Sequence, residues 1–493
     1  MNVIEVIARR AVLRPDDPAL IIEDRRMSYS DLMLNVAKVA TGMRAAGVGR
    51  HDVVAILAPG LLGQIIGSLA VAHLGAVSVA LIAEGGKGVA LAAAAALCDV
   101  KYVVHNMPDE FHIDAPSIQA YLKLQSLLSG TYEELVPMVP TEPEDMFRIA
   151  MSSGTTGRPK AVRYTHGRVI LRAQLTIGLY PSGPGDRTLV CLGAGLLFSV
   201  IYWLRTLMCG GAVVGPAGAP LEAALRHRAT FLLSSPATAI DMLQMARSDA
   251  RFSRPLPDLK TLCIGGSTVA VPIQEALRKH ICPNIAINYG TTETGLVAVV
   301  DQDVMDIDPT SSGRLMPWVE AEVVDAQGNP LPAGEQGVLR IRSPAMANGY
   351  IGATDASKSA FRDGWFYSND VATISQGTLV YLSGRGDVLN LSGIKVDAAR
   401  VEAVVARDPA VLECVAFASP DDQGVQRLIV AVVAPDGLDA EALSARCTQA
   451  FGKRFEPAAI KIVKAFPHNE GGKILRDEVI RTIGQEGNPL GMN

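Results

Sequence analysis

The chain has 493 residues, more than a single hydrophobic core usually organises, so two or more domains are expected. Hydrophobic residues make up 49% of the sequence and charged residues 19%, which is typical of folded globular proteins and argues against disorder. The formal net charge of -5 and the pI of about 6.0 exclude a global basic field, so binding of nucleic acid or of an anionic membrane surface is not expected.

The N-terminal segment, residues 1–15, lacks the uninterrupted apolar stretch and small-residue cleavage site of a secretory signal. The seven cysteines are scattered, odd in number and mostly set in apolar runs, which favours reduced packing residues over disulfides. The eight histidines show no HExxH or similar spacing, so no zinc site is expected. We therefore expect a cytoplasmic protein.

Residues 53–83 contain no Asp, Glu, Lys or Arg, and this length would suffice to cross a bilayer. Residues such as Pro59, Gly60 and His73 interrupt the run and divide it into VVAILAP, LLGQIIGSLAVAHLG and AVSVALI. This pattern indicates a strand, a helix and a strand in a buried crossover unit. We therefore predict no membrane span.

The N-terminal region alternates short aliphatic strands with amphipathic helices. Helices are predicted at residues 29–46 and 221–226. The predicted strands are residues 53–57, 76–81, 102–105, 189–192, 231–234 and 262–264. This alternation indicates an α/β fold in which helices cover layered parallel sheets.

The most informative segment is SSGTTGRPK at residues 152–160. Two glycines, four hydroxyls and two cations in nine residues form a flexible loop that can enclose a polyphosphate. The segment fails the P-loop pattern GxxxxGK[ST], because Gly154 and Gly157 are too close together and Lys160 follows a proline, so an ordinary P-loop NTPase is disfavoured. Taken alone, the segment could also be a solvated turn.

From about Gly313 the pattern changes to alternating apolar residues with turn signals, which indicates a small β subdomain. After the SGRGD segment at residues 383–387 it changes again. A helix, two strands and a helix are predicted at residues 397–407, 414–419, 428–434 and 440–451. This order describes a compact α+β module. We predict a large N-terminal domain of residues 1–386 and a smaller, mobile C-terminal lid domain of residues 387–493.

The loop at residues 152–160 resembles, almost residue for residue, the glycine-rich loop of the ANL superfamily of adenylate-forming enzymes. This superfamily comprises acyl-CoA synthetases, nonribosomal peptide adenylation domains and beetle luciferases. Further motifs similar to those of the superfamily follow in the same order: GGS at 265–267, NYGTTE at 288–293, FRDGWFYSND at 361–370, SGRGD at 383–387 and NEGGK at 469–473. Any one motif could be an ordinary turn, but their joint order favours membership.

The resemblance implies how a nucleotide is bound. Backbone at Gly265, Gly266 and Ser267 would lie against adenine, and Tyr289 would stack on it. Asp370 would accept hydrogen bonds from the ribose hydroxyls. The complete predicted nucleotide-binding set is Ser152, Ser153, Gly154, Thr155, Thr156, Gly157, Lys160, Gly265, Gly266, Ser267, Asn288, Tyr289, Gly290, Thr291, Asp370 and Arg385.

The resemblance also implies catalytic roles. Thr292 would contact the α-phosphate and Glu293 would hold Mg²⁺, since a hard carboxylate suits a hard cation. Lys473 would be the catalytic cation that bridges the acyl carboxylate and the phosphate. Arg385 would contact ribose or phosphate, and Asp387 would be the hinge about which the C-terminal domain rotates between two half-reactions. The implied cofactors are ATP and Mg²⁺.

The sequence departs from the superfamily pattern at three places. Asn369 stands where glycine is usual before the ribose-binding aspartate. The boundary motif has one residue fewer between Arg385 and Gly393, with Asn390 at or next to a position often held by lysine. The residues 468–470, His-Asn-Glu, replace the usual Pro/Thr-rich lead into the lysine loop. The shortened boundary motif bears on the second half-reaction rather than on adenylation.

The predicted acid pocket contains Phe198, Ser199, Tyr202, Trp203 and Gly290. Residues 198–203 align with a motif resembling FDxSxW, in which amino-acid-activating relatives carry an aspartate that pairs with the α-ammonium group. This chain offers Ser199 instead, so we expect an acid that lacks an α-amino group. The apolar neighbours favour an aryl or a short to medium acyl group, although the same residues could be ordinary core.

The acceptor is expected to be a thiol, either CoA or the phosphopantetheine of an acyl or peptidyl carrier protein, and the sequence modestly favours CoA. A ligase that stops at the adenylate and a catalytically silent ATP-binding homologue are the alternatives. Retention of Lys160, Glu293 and Lys473 argues against a silent homologue. A Rossmann dehydrogenase is disfavoured because no GxGxxG opens a helix after a strand. A homodimer is compatible with the sequence but not indicated by it.

Overall fold

The structure is a computed structural model in which the described residues are 2–485 with short gaps. The gaps fall at residues 59, 82–87, 109, 153–159, 217, 353, 376–377, 383–387, 392–393, 421–424, 436 and 470. Within these described ranges, no helix is both long enough and apolar enough to cross a bilayer.

The described helices alternate with strands in the N-terminal four-fifths of the chain and recur around a small sheet near its end. They are α1 (Val3–Leu13), α2 (Tyr29–Ala45), α3 (Leu61–His73), α4 (Gly88–Leu97), α5 (Leu124–Ser129), α6 (His166–Leu179), α7 (Leu197–Cys209), α8 (Pro220–Arg226), α9 (Pro236–Ser248), α10 (Val271–His280), α11 (Gln302–Ile307), α12 (Thr354–Ala360), α13 (Ala398–Val405), α14 (Ala440–Phe451) and α15 (Arg476–Gln485).

The described strands form two large and two small sheets. They are β1 (Pro18–Ile22), β2 (Arg25–Ser28), β3 (Val53–Leu57), β4 (Val77–Ala80), β5 (Val100–His105), β6 (Ala120–Lys123), β7 (Met146–Ser152), β8 (Lys160–Thr165), β9 (Arg187–Val190), β10 (Ala212–Gly215), β11 (Phe231–Ser234), β12 (Thr261–Gly265), β13 (Ile285–Thr291), β14 (Gly295–Val300), β15 (Gly313–Leu315), β16 (Glu320–Val324), β17 (Gly337–Arg342), β18 (Phe361–Arg362), β19 (Trp365–Ser375), β20 (Leu379–Leu382), β21 (Val388–Leu391), β22 (Ile394–Asp397), β23 (Glu413–Pro420), β24 (Gln426–Val433) and β25 (Ala459–Val463).

The two large sheets confirm the predicted α/β architecture. One has the order β6-β5-β3-β4-β7-β8 and is parallel up to its last pair. The other runs β16-β17-β19-β20-β15-β14-β13-β12-β11-β9-β10-β1-β2. The six neighbouring strands β13, β12, β11, β9, β10 and β1 pair in parallel. The strands on the other side of β13, which are β14, β15, β20, β19, β17 and β16, pair antiparallel. The antiparallel part is the predicted β subdomain.

The described part of the uncharged run of residues 53–83 contains β3, α3 and β4, as predicted for a buried crossover unit. Helix α3 is buried on nearly all sides, which explains why it lacks a polar face. Helix α7 is equally enclosed, and it ends at Gly210, whose left-handed backbone (φ 85°) suits a helix terminus that needs glycine. Trp203 of α7 lies in the same core as α2 and α3.

The last hundred residues build a separate small unit. Strands β23, β24 and β25 form a three-stranded sheet, and β21 and β22 form a hairpin beside it. Two buried clusters of this unit consist only of residues from Leu389 onward, as expected for a domain with its own core. The predicted boundary between residues 386 and 387 lies outside the described residues and remains a prediction.

Candidate active site

Several predicted motifs meet at one edge of the larger sheet. Strands β9, β11, β12 and β13 are mutually parallel neighbours, so their carboxyl ends share an edge. The segments that leave these ends are residues 191–196, Ser235, residues 265–267 and the turn after Thr291. The carboxyl edge of a parallel sheet is where α/β folds generally bind ligands.

Tyr289 and Asp370 are brought into contact at this edge. The Tyr289 hydroxyl donates a hydrogen bond of 2.7 Å to Oδ2 of Asp370, although the two residues are 81 positions apart. Tyr289 lies on β13 and Asp370 on β19, and the Asp370 side chain is buried. An aromatic face beside a carboxylate can receive a base and its ribose together.

The turn at Thr292 and Glu293 is held by a buried arginine that the sequence analysis did not single out. Arg172 of α6 donates to the carbonyls of Ala345, Thr292 and Glu293 and to the Tyr164 hydroxyl, each at 3.1 Å. Its guanidinium lies 4.5 Å from the Tyr164 ring centroid. The only sequence signal was a cation on the buried face of a helix.

Glu293 and Lys160 both contact the side chain of Tyr350. The Tyr350 hydroxyl donates to Oε1 of Glu293 at 2.8 Å, and Lys160 Nζ lies 4.8 Å from the centroid of the same ring. Burial, and then the Glu293 carboxylate, raise the pKa of Tyr350, so its hydroxyl stays a donor. This contact places a buried carboxylate and a cation at the start of β8, whose first residue is Lys160.

A magnesium ion at this site would be held by Glu293 together with phosphate oxygens of the nucleotide. The parts of the chain that the structure describes contain no cluster of three or more His, Cys, Asp or Glu side chains suited to a metal. Mg²⁺ is commonly held by one or two carboxylates together with substrate phosphates and water. Glu293 offers one hard carboxylate on the other side of the Tyr350 ring contact from Lys160, and its role in holding Mg²⁺ stays a prediction.

The lysine loop of the C-terminal unit lies against the same edge. Gly266 has φ 102°, and a Cβ there would come within 2.7 Å of the Gly471 carbonyl oxygen. A Cβ on Gly472 would lie 2.0 Å from that of Ser235. Lys473 directly follows these two contacts in the chain, and its amide donates to Oδ1 of Asn469 at 3.0 Å. A side chain at position 266 would clash with backbone and one at position 472 with the Ser235 side chain, so both positions need glycine.

The α7 residues of the predicted acid pocket differ in their exposure, and their role in binding an acid stays a prediction. Phe198 lies against Gly265, where a Cβ would be 2.7 Å from its ring, and its ring meets that of Tyr202 edge to face at 5.0 Å. Ser199, Tyr202 and Trp203 are fully buried behind it. Phe198 alone of the four α7 residues is more than marginally accessible from the sheet edge.

Asn288 faces this pocket rather than the tyrosine ring beside it. Its amide nitrogen donates to the Tyr202 hydroxyl at 2.6 Å, and its Oδ1 accepts from the Tyr180 hydroxyl at 2.8 Å. Successive strand residues point to opposite faces, so Tyr289 projects to the other side. The side chain of Asn288 thus supports the pocket floor, and its backbone lies between Gly265 of β12 and Val299 of β14 in the sheet.

A second buried arginine links β7, the strand before the glycine-rich loop, to the segment before α7. Arg148 of β7 donates to the hydroxyls of Ser68 and Ser78 at 3.2 Å and to the Gly195 carbonyl at 2.5 Å. Complete burial lowers the pKa of Arg148 to about 10, so it remains a cation at neutral pH. Because β7 leads into the glycine-rich loop and Gly195 precedes α7, this arginine ties the two regions together.

Some predicted residues cannot be placed. Ser153, Gly154, Thr155, Thr156 and Gly157 lie outside the described residues, as do Arg385 and Asp387, and the side chain of Ser152 is likewise not described. Their roles remain predictions.

Comparison with known proteins matches the chain to two family models. The model for the AMP-binding enzyme covers residues 7–351, and that for the AMP-binding enzyme C-terminal domain covers residues 400–473. Similar proteins include a feruloyl-CoA synthase from Amycolatopsis sp (28% identity, 97% of this chain and 98% of that protein). Another is a 3-hydroxybenzoate–CoA ligase from Aromatoleum sp. strain CIB (26% identity, 93% and 92%).

Solved structures of similar fold include an anthranilate CoA ligase in complex with anthranoyl-AMP, with a TM-score of 0.86, 21% identity and coverage of 98% of this chain and 97% of that one. An o-succinylbenzoate CoA synthetase from Bacillus subtilis in complex with its acyl-adenylate intermediate gives a TM-score of 0.84 at 20% identity, with coverage of 96% and 97%. The two family models place the chain among the enzymes of the adenylate-forming superfamily, and the fold agrees with them. More narrowly, the chain belongs to the AMP-binding enzyme family and is an AMP-forming ligase.

The contact between Tyr289 and Asp370 predicts graded effects on nucleotide affinity. Asp370→Ala removes a carboxylate that would bind ribose and is expected to weaken ATP binding about tenfold. Tyr289→Phe keeps the ring and loses only the hydrogen bond, so a decrease of about threefold is expected. Calorimetric titration with ATP measures both. The exposed Asp355 is the control, and equal affinities for Asp370→Ala and Asp355→Ala would contradict the assignment.

The contacts of Arg172 predict that it positions the turn at Thr292 and Glu293. Arg172→Lys keeps the charge but loses the planar fork that reaches several carbonyls, so kcat for adenylation is expected to fall roughly 10- to 100-fold while ATP binding changes little. Arg168→Lys, one turn earlier on α6 with its partner Asn348, is the matched control. If Arg172→Lys raised the Kd for ATP but left kcat unchanged, this role would be wrong.

Proposed function

We propose that this ligase activates an aromatic carboxylic acid without an α-amino group and transfers the acyl group to the thiol of CoA. In the first step, the acid's carboxylate oxygen attacks the α-phosphorus of ATP, and the bond to the β-phosphate oxygen breaks to release pyrophosphate. In the second step, the thiol sulfur attacks the acyl carbon, its proton passes to solvent, and AMP leaves.

The observation that carries the proposal is the seating of the lysine loop on the sheet edge. Gly471 and Gly472 pack on Gly266 and Ser235, so the loop that bears Lys473 lies at the ends of β11 and β12. Strand β12 is the neighbour of β13, which carries Tyr289. An in-line attack on the α-phosphate builds up negative charge, which a cation at this position would offset. Mg²⁺, when bound through Glu293 and phosphate oxygens, would supply further charge stabilisation.

The pocket supports an aromatic acid. Phe198 borders Gly265 and stands edge-on to Tyr202, whose ring stacks on Phe231 with centroids 5.5 Å apart. Because Tyr202 and Phe231 are buried, Phe198 is the member of this ring group that a flat aromatic acid would contact. Ser199 takes the position where amino-acid-activating relatives carry an aspartate, so an α-ammonium group would lack a counter-charge there.

The comparisons support the same substrate class and acceptor. The similar proteins named above are called CoA ligases or CoA synthases for feruloyl and 3-hydroxybenzoyl groups. The similar structures hold an anthranoyl and an o-succinylbenzoyl adenylate. A related structure of the Bacillus subtilis enzyme is in complex with ATP and a magnesium ion. All of these acids carry an aromatic ring.

A panel of acids tests the proposal. Pyrophosphate release is measured with benzoate, hydroxybenzoates and hydroxycinnamates against phenylalanine, acetate and octanoate. Aromatic acids are expected to exceed the others in kcat/KM by at least about tenfold, the gain that good aromatic packing gives. AMP release is then followed with CoA or with a phosphopantetheinylated carrier protein as acceptor. A higher kcat/KM for phenylalanine than for the aromatic acids would overturn the proposed substrate class. Faster AMP release with the carrier protein than with CoA would overturn the proposed acceptor.

Lys473→Ala tests the role of the lysine loop. Loss of a cation at the developing charge is expected to lower acid-dependent ATP–pyrophosphate exchange roughly 100-fold or more, with ATP binding largely kept. Lys464→Ala, an exposed lysine just after β25 in the same unit, is the control and is expected to retain the exchange rate. If Lys473→Ala exchanges at the normal rate, the catalytic role assigned to Lys473 is wrong.

A further inference from the structure

Tyr350 lies between two side chains with predicted roles in binding the nucleotide and its metal. Its hydroxyl donates to Oε1 of Glu293 at 2.8 Å, and the centroid of its ring lies 4.8 Å from Lys160 Nζ. A cation at this distance from an aromatic face is attracted by the negative charge of the π system. One side chain therefore contacts the predicted magnesium ligand and a predicted nucleotide-binding cation through two different interactions.

The segment that carries Tyr350 joins the two large sheets. Near its start, the amide of Ala347 donates to the Glu293 carbonyl at 2.7 Å. At its end, Tyr350 forms an antiparallel bridge with Val162 of β8. The segment therefore ties the turn after β13, in the larger sheet, to β8, in the smaller sheet.

Neighbouring groups restrict the position of Tyr350. Its backbone amide donates to Oγ of Ser357 at 2.8 Å, and its ring meets that of Phe361 edge to face at 5.4 Å. Packing of this kind limits the rotamers that a side chain can adopt, so the hydroxyl and the ring face stay directed at their partners. A rigid support of this kind holds binding groups in a productive geometry.

The two contacts of Tyr350 keep a cation and a carboxylate apart. In the part of the chain that the structure describes, Lys160 and Glu293 both contact Tyr350 and form no ion pair with each other. A direct ion pair would have to break before Glu293 could bind a metal or Lys160 could bind a phosphate. The uncharged tyrosine leaves both charges in place, and its hydrogen bond engages only one of the two carboxylate oxygens.

We propose that Tyr350 is a positioning residue for adenylation, whose hydroxyl orients Glu293 for the metal and whose ring holds Lys160 for the phosphates and away from Glu293. Tyr350 acts through these two side chains and not on the reacting atoms. The inference rests on the proposed function, because it assumes that ATP and Mg²⁺ are bound at this edge of the sheet.

Tyr350→Phe tests the hydrogen bond and keeps the ring. Loss of a hydrogen bond to a charged carboxylate is expected to raise the Mg²⁺ concentration for half-maximal ATP–pyrophosphate exchange about tenfold. The exchange rate at saturating Mg²⁺ is expected to stay within about twofold of wild type, because excess metal restores occupancy. Tyr381→Phe, which removes a hydroxyl that donates to Oδ2 of Asp308 at 3.0 Å, is the matched control. Equal Mg²⁺ dependence of Tyr350→Phe and wild type would overturn the proposal.

Calorimetric titration with ATP gives a readout that does not depend on activity. Wild type is expected to bind ATP more tightly with Mg²⁺ than with EDTA, and equal affinities would also overturn the proposal. Tyr350→Phe is expected to lose most of the gain from Mg²⁺ and to keep the wild-type affinity in EDTA. Tyr350→Leu also removes the ring and lets Lys160 pair with Glu293, so its affinity in EDTA is expected to fall about threefold. Identical affinities of the two variants would contradict the role of the ring.

A double-variant cycle separates positioning from a general structural role. Glu293→Gln removes the charge through which the Tyr350 hydroxyl acts, so Tyr350→Phe is expected to cause no further loss of Mg²⁺-dependent ATP affinity in that background. A hydroxyl that only stabilised the fold would lower the affinity by the same factor in both backgrounds, and such additivity would contradict the proposal.

Two outcomes distinguish this inference from the proposed function. If the calorimetric effects of Tyr350→Phe occur but wild type activates no aromatic acid, the proposed function fails and the positioning of Glu293 by Tyr350 stands. If wild type activates aromatic acids and Tyr350→Phe keeps the wild-type dependence on Mg²⁺, the inference about Tyr350 fails alone.

Discussion

The site depends on the parallel pairing of β9, β11, β12 and β13. Because these strands run in one direction, the chain leaves all of them at the same edge, and segments far apart in sequence converge there. The switch to antiparallel pairing after β13 then sends the chain through a tight turn that presents Thr292 and Glu293 at this edge. The β subdomain continues the same sheet and brings Asp370 to Tyr289.

Buried cations hold this edge in shape. Arg172 fixes the turn at Thr292 and Glu293, and Arg148 ties the strand before the phosphate loop to the carbonyl of Gly195. A fixed arrangement of donors lowers the reorganisation needed when charge develops during a reaction. Neither arginine has a carboxylate partner among its described contacts, so each charge is stabilised by carbonyls and hydroxyls. A backbone segment whose carbonyls accept several hydrogen bonds from one guanidinium is strongly constrained.

The sequence predicted the parts of the fold that depend on local patterns. The predicted strands at residues 53–57 and 231–234 and the helix at 440–451 match β3, β11 and α14. The hairpin of β1 and β2 was not predicted, because Arg25 and Arg26 of β2 show no strand pattern. Strand β2 is placed by its pairing with β1, which itself pairs with the distant strand β10. Asp370 and Tyr289 were predicted because they belong to recognisable motifs. Arg172 and Tyr350 belong to no such motif, and their importance follows only from their contacts in the structure.

The most direct test of the account is a crystal structure with a non-hydrolysable acyl-adenylate analogue of an aromatic acid. The account predicts the adenine ring on Tyr289 and beside Gly265 and Gly266, the ribose on Asp370, and the aromatic ring against Phe198. It also predicts Lys473 Nζ within hydrogen-bonding distance, roughly 3 Å, of the mimic of the α-phosphate. An analogue bound elsewhere, or bound here with Tyr289 and Asp370 out of contact with it, would contradict the account.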